Sequence, residues 1–545
     1  MQRVQISTRL ATLASEAKLL LHPYTVLVLV ALAVWLPDGF NIGPVNDGWV
    51  TLKDANALIL PFGLRVLQVV PQALGLLLTP GSFIGWQALL FVFTASRGIL
   101  VFEIIARLIP NERRLALACG LLAVFHPADT VDFWVDGSNV DMALALALSA
   151  CLAALMHLQT GSRQSLLAVF LFQLACCFTY PGYLLVLIAF PVCIWLLQWW
   201  QTRRASVVYL LKTTSGVLVV TALVLFESKQ GAGREGYLWD PDVHRTLSGY
   251  GLQLKWIFLS VVRMLQGAQL TYLFWGLLPA VFAYTVAHKM DSSHDEPRPW
   301  RYHAGLAAMF LLLAAAAYFP YAVTTMRPGH NRQMLAAGLF IFMALLLPLF
   351  LSLRGRSVSR AVSSVLVMIV ALGAVMTGLE NRSWYVNFYR TKEALLAGIA
   401  RVEPQPPDNA VFVVRVSDPD LARALVGFYN REPAFTEALR FIYGDQGLFG
   451  TFIDLDAEHP LDFGSSGLGV VRPNHIDRAP YSHLVLVDYS PDGTASLLPQ
   501  AWLRQRAPKD VDISAYQPDA GARQPGKDAI ICSILEKKFR PSYCD

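Results

Sequence analysis

What most limits the fold of this chain is the recurrence of apolar runs of about 20 residues, the length at which a helix crosses a bilayer. About eleven apolar runs follow one another, several of them shorter than this. They lie near Leu21–Leu36, Phe83–Ile105, Leu115–Phe125, Met142–His157, Leu166–Thr179, Tyr183–Trp200, Val207–Phe226, Thr271–His288, Ala304–Phe319, Leu335–Leu353 and Ala361–Leu379. With 55% hydrophobic and only 15% charged residues, and a mean hydropathy of +0.45, the chain has too much apolar surface for a water-soluble globule. The expected fold is a polytopic α-helical membrane protein.

The net charge of +5 over 545 residues is spread in short basic clusters. It therefore reads as a signal for loop orientation and argues against nucleic-acid binding. Arg3, Arg9 and Lys18 precede the first run with no small-residue cleavage site behind it, so that run is expected to be a retained first span. Further basic clusters at Arg107, Arg113 and Arg114, at Arg163, at Arg203 and Arg204, at Lys289, Arg298 and Arg301, and at Arg354, Arg356 and Arg360 occupy every second loop. Those loops are expected to be cytoplasmic and the others exported. Two apolar segments remain, Ala57–Leu78 and Leu252–Leu270. Either one, counted as a span, would reverse everything after it, so both are read as exported interfacial or re-entrant helices. In the first, Arg65, Gln68 and Gln72 recur at helical spacing and form a polar stripe.

After Leu379 the composition turns mixed and polar, with joints at Pro404, Pro406 and Pro407, strand-like runs at Val411–Val416 and Leu484–Val487, and a helical stretch at Leu421–Tyr429. Residues 1–379 thus form a transmembrane domain and residues 380–545 a soluble α/β domain. An odd number of spans from a cytoplasmic start places that domain on the periplasmic side of an inner membrane. Cys119, Cys151, Cys176, Cys177 and Cys193 lie in apolar runs and act as small hydrophobes. Cys532 and Cys544, in the tail, either form a disulfide or stay free.

The exported loops carry the chemistry. Loop 37–56, PDGFNIGPVNDGWVTLKDAN, holds Asp38, Asp47 and Asp54. Asp47, set between Asn46 and Gly48-Trp49 in a small-polar-aromatic context typical of sugar contact, is the best placed to accept a proton from a hydroxyl nucleophile. Asp38 and Asp54 read as turn and helix-start residues. Loop 126–141, HPADTVDFWVDGSNVD, brings four acids, one histidine and one tryptophan between two spans. On the residues alone Asp129 and Asp136 read as solvated loop acids and His126 as a turn or cap residue.

The ordered set His126, Pro127, Asp132, Trp134, Gly137 and Asp141, opening an Ala/Leu-rich span, resembles the corresponding loop of the GT-C superfamily of integral-membrane glycosyltransferases, in particular its protein O-mannosyltransferase-like branch. Ser138 stands where that pattern has arginine. The resemblance implies a polyprenyl-phosphate-linked sugar as donor. It also implies a catalytic acid in the first exported loop, matched by Asp47, with Asp132 or Asp141 as a second acid that orients acceptor or donor alongside His126 and Trp134. A third exported loop, PYAVTTMRPGHNRQ, sets Arg327, His330 and Arg332 against the positive-inside trend. Guanidinium groups grip phosphate bidentately, and the superfamily's arginine before a late span is matched by Arg332. Tyr180 and Tyr183, in a turn between two spans, are further candidates for lining a sugar site.

The expected activity is inverting transfer of a sugar to an acceptor glycan, lipid or protein at the outer membrane face. No metal is required by this scheme, although Asp47, Asp132 and Asp141 also offer the carboxylate oxygens that Mg²⁺ or Mn²⁺ takes. The alternatives are an O-antigen-type polymerase or ligase, a lipid-linked glycan transporter or flippase, and a membrane scaffold. Few charges lie deep in the spans, Arg97 and Glu103 being the exceptions, and there is no internal repeat, both of which speak against transport.

Overall fold

The computed structural model describes residues 22–36, 38–45, 48–56, 66–80, 82–134, 137–202, 206–229, 242–266, 269–290, 299–323, 331–353, 359–416, 418–425, 432–443, 447–453, 462–471 and 476–518. Helices stand at all eleven positions marked by the apolar runs: α1 (Pro23–Trp35), then, after α2 (Gly48–Asn56) and α3 (Val70–Leu78), α4 (Ile84–Leu108), α5 (Arg113–Val124), α6 (Ser138–Thr160), α7 (Arg163–Thr179), α8 (Leu184–Thr202), α9 (Val207–Thr213) and α10 (Ser215–Lys229), and, after α11 (Val243–Gln266), α12 (Leu270–Lys289), α13 (Trp300–Ala322), α14 (Asn331–Ser352) and α15 (Ser359–Val402).

Seven of these, α4, α6, α8 and α12 to α15, are long and apolar enough to cross a membrane, while α1 and α7 are shorter apolar helices. The structure thus shows a multi-pass membrane protein, with seven helices of crossing length among the described residues where the sequence suggests about eleven. The run Val207–Phe226, read from sequence as one span, is divided at Thr214 into α9 and α10. Gln173 of α7 holds that break open. Its Nε2 donates to the Thr213 carbonyl at 2.6 Å and its Oε1 accepts from the Val217 amide at 3.3 Å, satisfying backbone groups that a continuous helix would pair with each other.

α4 packs along α5 and α6, α6 along α7, α12 along α15, and α13 along α14. Small residues set how closely these helices approach. A Cβ on Gly98 would lie 2.5 Å from Val124 Cγ2, and one on Gly120 would lie 2.9 Å from the Gly98 carbonyl oxygen, so α4 and α5 meet backbone to backbone. The five span cysteines are buried free thiols. Cys532 and Cys544 lie outside the described residues.

The 44 residues of α15 make a rod about 66 Å long at 1.5 Å per residue, roughly twice the hydrocarbon thickness of a bilayer. The boundary at 379/380 falls inside this unbroken helix, which carries the chain from the bundle into the C-terminal region. There β1 (Val411–Val416) lies between β2 (Phe449–Ile453) and β6 (Leu484–Tyr489), parallel to both, and β7 (Ala495–Leu497) closes the far edge antiparallel to β6. Strands β3 (Asp462–Gly464), β4 (Gly467–Val471) and β5 (Ile476–Ala479) form a separate antiparallel sheet.

Alternation along β1 gives the main sheet two buried faces. Phe412 and Val414 join Phe435 and Leu439 of α17 (Glu432–Tyr443) in one core, whereas Val413 joins Leu486, Leu503 and Tyr516 in another. The helical stretch expected at 421–429 is the six-residue α16 (Pro419–Ala424), and residues 426–431 lie outside the described set. This region docks on α2, where Phe441 of α17 packs against Trp49 with ring centroids 5.9 Å apart.

Candidate functional site

The loop between α5 and α6 folds as a chain of tight turns. The Asp129 amide donates to the His126 carbonyl at 2.8 Å, the Trp134 amide to Val131 at 2.9 Å, and the Gly137 amide to Trp134 at 2.7 Å. These turns aim the acids inward. Asp129, Asp132 and Asp141 are wholly buried and converge on Arg97, which is equally buried in the middle of α4. Arg97 Nη1 lies 2.6 Å from Asp141 Oδ1, and its Nη2 lies 3.0 Å from Asp132 Oδ1 and 3.2 Å from Asp129 Oδ2. Nη2 also donates to the Val124 carbonyl at 3.2 Å. Taking an ion out of water costs several kcal/mol unless counter-charges and hydrogen bonds surround it, and the fork of a guanidinium can serve several carboxylates at once. Asp129 is therefore an ion-pair partner, not the solvated loop acid that the residues alone suggest. Three carboxyls against one guanidinium leave excess negative charge. Burial and the neighbouring Asp129 raise Asp132 well above the ordinary carboxylate range in spite of Arg97.

His126, 1% exposed, donates Nε2–H to the Leu335 carbonyl at 2.8 Å, since a carbonyl only accepts. Its Nδ1 has no partner. Burial, helped by Arg97, lowers its pKa to about 4 against the pull of Asp129 and Leu335, so the ring is neutral near pH 7. Gly338 of α14 gives it room: a Cβ there would stand 2.8 Å from His126 Cε1 and 2.9 Å from Ala128 Cβ. His126 is thus a buried link between the loop and α14. Trp134 is half-buried, and its ring and Cβ lie 3.5 Å from where a Cβ on Gly137 would be.

α15 braces the same loop. Asn381 donates to the Asp129 carbonyl, Tyr385 donates its hydroxyl to the Thr130 carbonyl at 2.7 Å, and Phe133 lies between Tyr385 and Trp35. Arg382 donates to the carbonyls of Val34 and Leu36 at the end of α1. One helix therefore ties loop 126–137, the end of α1 and the sheet region into one end of the bundle.

Of the first loop's candidates, Asp47 lies outside the described residues. Trp49 is 2% exposed and packs against Phe83 and Phe441. It belongs to the core between bundle and sheet region. Asp38 sits 3.9 Å from Arg390, with both side chains exposed. Arg327 and His330 lie outside the described residues, and Arg332 stands in the first turn of α14 with its side chain outside them. Tyr180 and Tyr183 meet edge to face at 5.7 Å. The Tyr183 hydroxyl is buried without a partner, within electrostatic reach of Asp141 and Arg97.

Among the described residues no group of three or more His, Cys, Asp or Glu side chains is arranged to hold a metal ion.

No family model matches the chain, and no curated relative matches it. Among solved structures it is similar to ArnT from Cupriavidus metallidurans in the apo state, at 14% identity and a TM-score of 0.34, over 77% of this chain and 91% of that one. A likeness this loose adds no weight to any residue's role.

Proposed function

We propose that the chain is a membrane glycosyltransferase that moves a sugar from a polyprenyl-phosphate donor to an acceptor hydroxyl at the outer face of the cytoplasmic membrane, with inversion. The observation that carries the reading is the buried Arg97–Asp129–Asp132–Asp141 cluster. Intramembrane ionisable groups are costly and mark functional sites by default. This cluster rigidly holds a polar loop at the end of the bundle where the sheet region docks and where the segments bearing Asp47 and Arg332 begin. With N-terminal and basic loops in the cytoplasm, that end is exported and the sheet region periplasmic.

In this scheme the acceptor oxygen attacks the anomeric carbon, and Asp47 takes the hydroxyl proton. The bond from that carbon to the phosphate oxygen breaks on the opposite face, and the lipid phosphate leaves. Arg332, with Arg327 or His330, binds the phosphate and stabilises the charge that grows on it. Asp132 and Asp141 act through Arg97, holding the loop in register and so orienting acceptor or donor, while His126 fixes the loop to α14 and Trp134 lines the acceptor or donor site. Arginine supplies the positive charge at the leaving group, and no step passes through Mg²⁺ or Mn²⁺.

Asp47→Asn is expected to lower transfer by about 10²–10⁴-fold with membrane level and Tm unchanged. Transfer at the wild-type rate would remove Asp47 from the chemistry, and a scaffold role predicts that result. Arg332→Ala is expected to weaken binding of a non-hydrolysable lipid-phosphate sugar analogue, and equal binding would remove Arg332 from the phosphate site.

A further inference from the structure

α11 is built inside out. Along its outer side Val243, Leu247, Leu254, Phe258 and Leu265 recur at helical spacing, each more than half exposed, whereas Gly249, Gln253, Ile257 and Ser260 are buried against the bundle. A helix on a water-soluble protein turns its apolar side inward. Here the apolar side faces outward and the helix has no acidic residue, as suits a helix with acyl chains on one side and polar space on the other.

On the inner side Tyr250 donates its hydroxyl to the Ala315 carbonyl at 2.9 Å, and Ser260 donates to the Ile257 carbonyl at 2.6 Å. Gln253 differs from both. It is 3% exposed, and neither its Oε1 nor its Nε2 has a partner. An orphaned buried polar group is destabilising, a cost that a leucine of the same size would not incur. One turn before it, the Tyr250 ring packs against Tyr318 of α13 at 5.0 Å. One turn after it, Ile257 packs with Ala128, two residues from His126, and with Met334, two residues from Arg332. Gln253 therefore sits one turn from a contact with α13 and one turn from a contact with the acid-bearing loop and the start of α14.

We infer that Gln253 binds the sugar of the lipid-linked donor, an inference that rests on the glycosyltransferase reading above. A primary amide donates and accepts at once, and so does a sugar hydroxyl. A phosphate only accepts and would leave Oε1 unpaired, and a polyprenyl tail does neither.

The test uses the full-length protein in detergent, with Tm and Kd measured for bare polyprenyl phosphate and for the same lipid carrying a hexose or a pentose. In the wild type at least one sugar-bearing lipid is expected to bind more tightly than the bare lipid. Gln253→Leu is expected to fold with a higher ligand-free Tm, to bind bare lipid as before, and to lose about tenfold or more of the affinity contributed by the sugar. Gln253→Ala is expected to lose the same increment. An increment that survives both changes, or sugar-bearing lipids that bind no better than bare lipid, would overturn the inference while leaving the donor class standing. A Gln253→Leu protein that fails to fold would show the amide to be held internally and would also overturn it. A wild type that binds neither kind of lipid would sink both this inference and the reading it rests on.

Discussion

Around Arg97 three carboxyl groups close on one guanidinium within 3.2 Å, whereas Gln253, nearly as deeply buried, has no partner for either of its polar atoms. The difference follows from charge. An ion in a low-dielectric interior must find its counter-ions within the protein, so Arg97 is matched by ion pairs to all three acids even though its Nε and one oxygen each of Asp132 and Asp141 have no hydrogen-bond partner. A neutral amide left unpaired costs far less and stays available to a ligand. Depth of burial alone thus does not separate the two: the charged cluster is held by ion pairs within the protein, and the Gln253 amide is held by no partner.

The severest way to break this contrast is to remove the guanidinium. Arg97→Met leaves three buried acids without a counter-ion and is expected to destabilise the protein by about 3–5 kcal/mol, read as a fall in Tm or loss of folded protein in detergent. Adding Asp129→Asn and Asp141→Asn to it is expected to restore much of the loss. If the triple change is no better than the single one, the acids do not depend on Arg97.

Next comes proton loading beside the cluster. Since the folded His126 titrates near 4 and an ordinary histidine near 6.5, the folded state resists the proton. Stability is then full above pH 6.5 and falls as pH drops towards 4, by about 3 kcal/mol in all. Asp132, raised, acts in the opposite sense: the folded state binds its proton more tightly, and stability from that group declines as pH rises out of the ordinary carboxylate range. His126→Asn should flatten the acid limb in a Tm–pH profile, and an unchanged limb would place its cause elsewhere. The smallest expected effect sharpens the role of the His126 pocket. Gly338→Ala forces a methyl against the ring and Ala128, with a cost of about 1–3 kcal/mol in unfolding measurements. A neutral result would mean that the loop can move away from α14.

How far the site could be read in advance depended on the range of each interaction. Arg97 stood out in the sequence as a charge deep in a span, but its partners lie 32, 35 and 44 residues along the chain. No local pattern identifies them, because the loop turns that aim Asp129 and Asp132 inward are set by backbone bonds and by bracing from α15, some 250 residues away. The packing of Trp49 is equally non-local: its neighbours in sequence are small and polar, while its neighbours in space are Phe83 and Phe441. The inverted burial of α11 was equally hidden, since periodicity reveals two faces without saying which one meets the bundle.

The apolar runs, by contrast, stood where helices formed, and β1 and β6 formed at the alternating runs Val411–Val416 and Leu484–Val487. Membrane helices and buried strands depend on the character of a few to about 20 consecutive residues, because each must satisfy its surroundings locally. The amino-acid sequence was therefore enough to establish a helical membrane bundle followed by a small sheet-bearing region, and to mark the loops rich in acids and arginines. That Asp129, Asp132 and Asp141 gather on Arg97 while Gln253 is buried unpaired was decided only in three dimensions, since charge compensation is a sum over neighbours in space and the chain brings those neighbours from five separate segments.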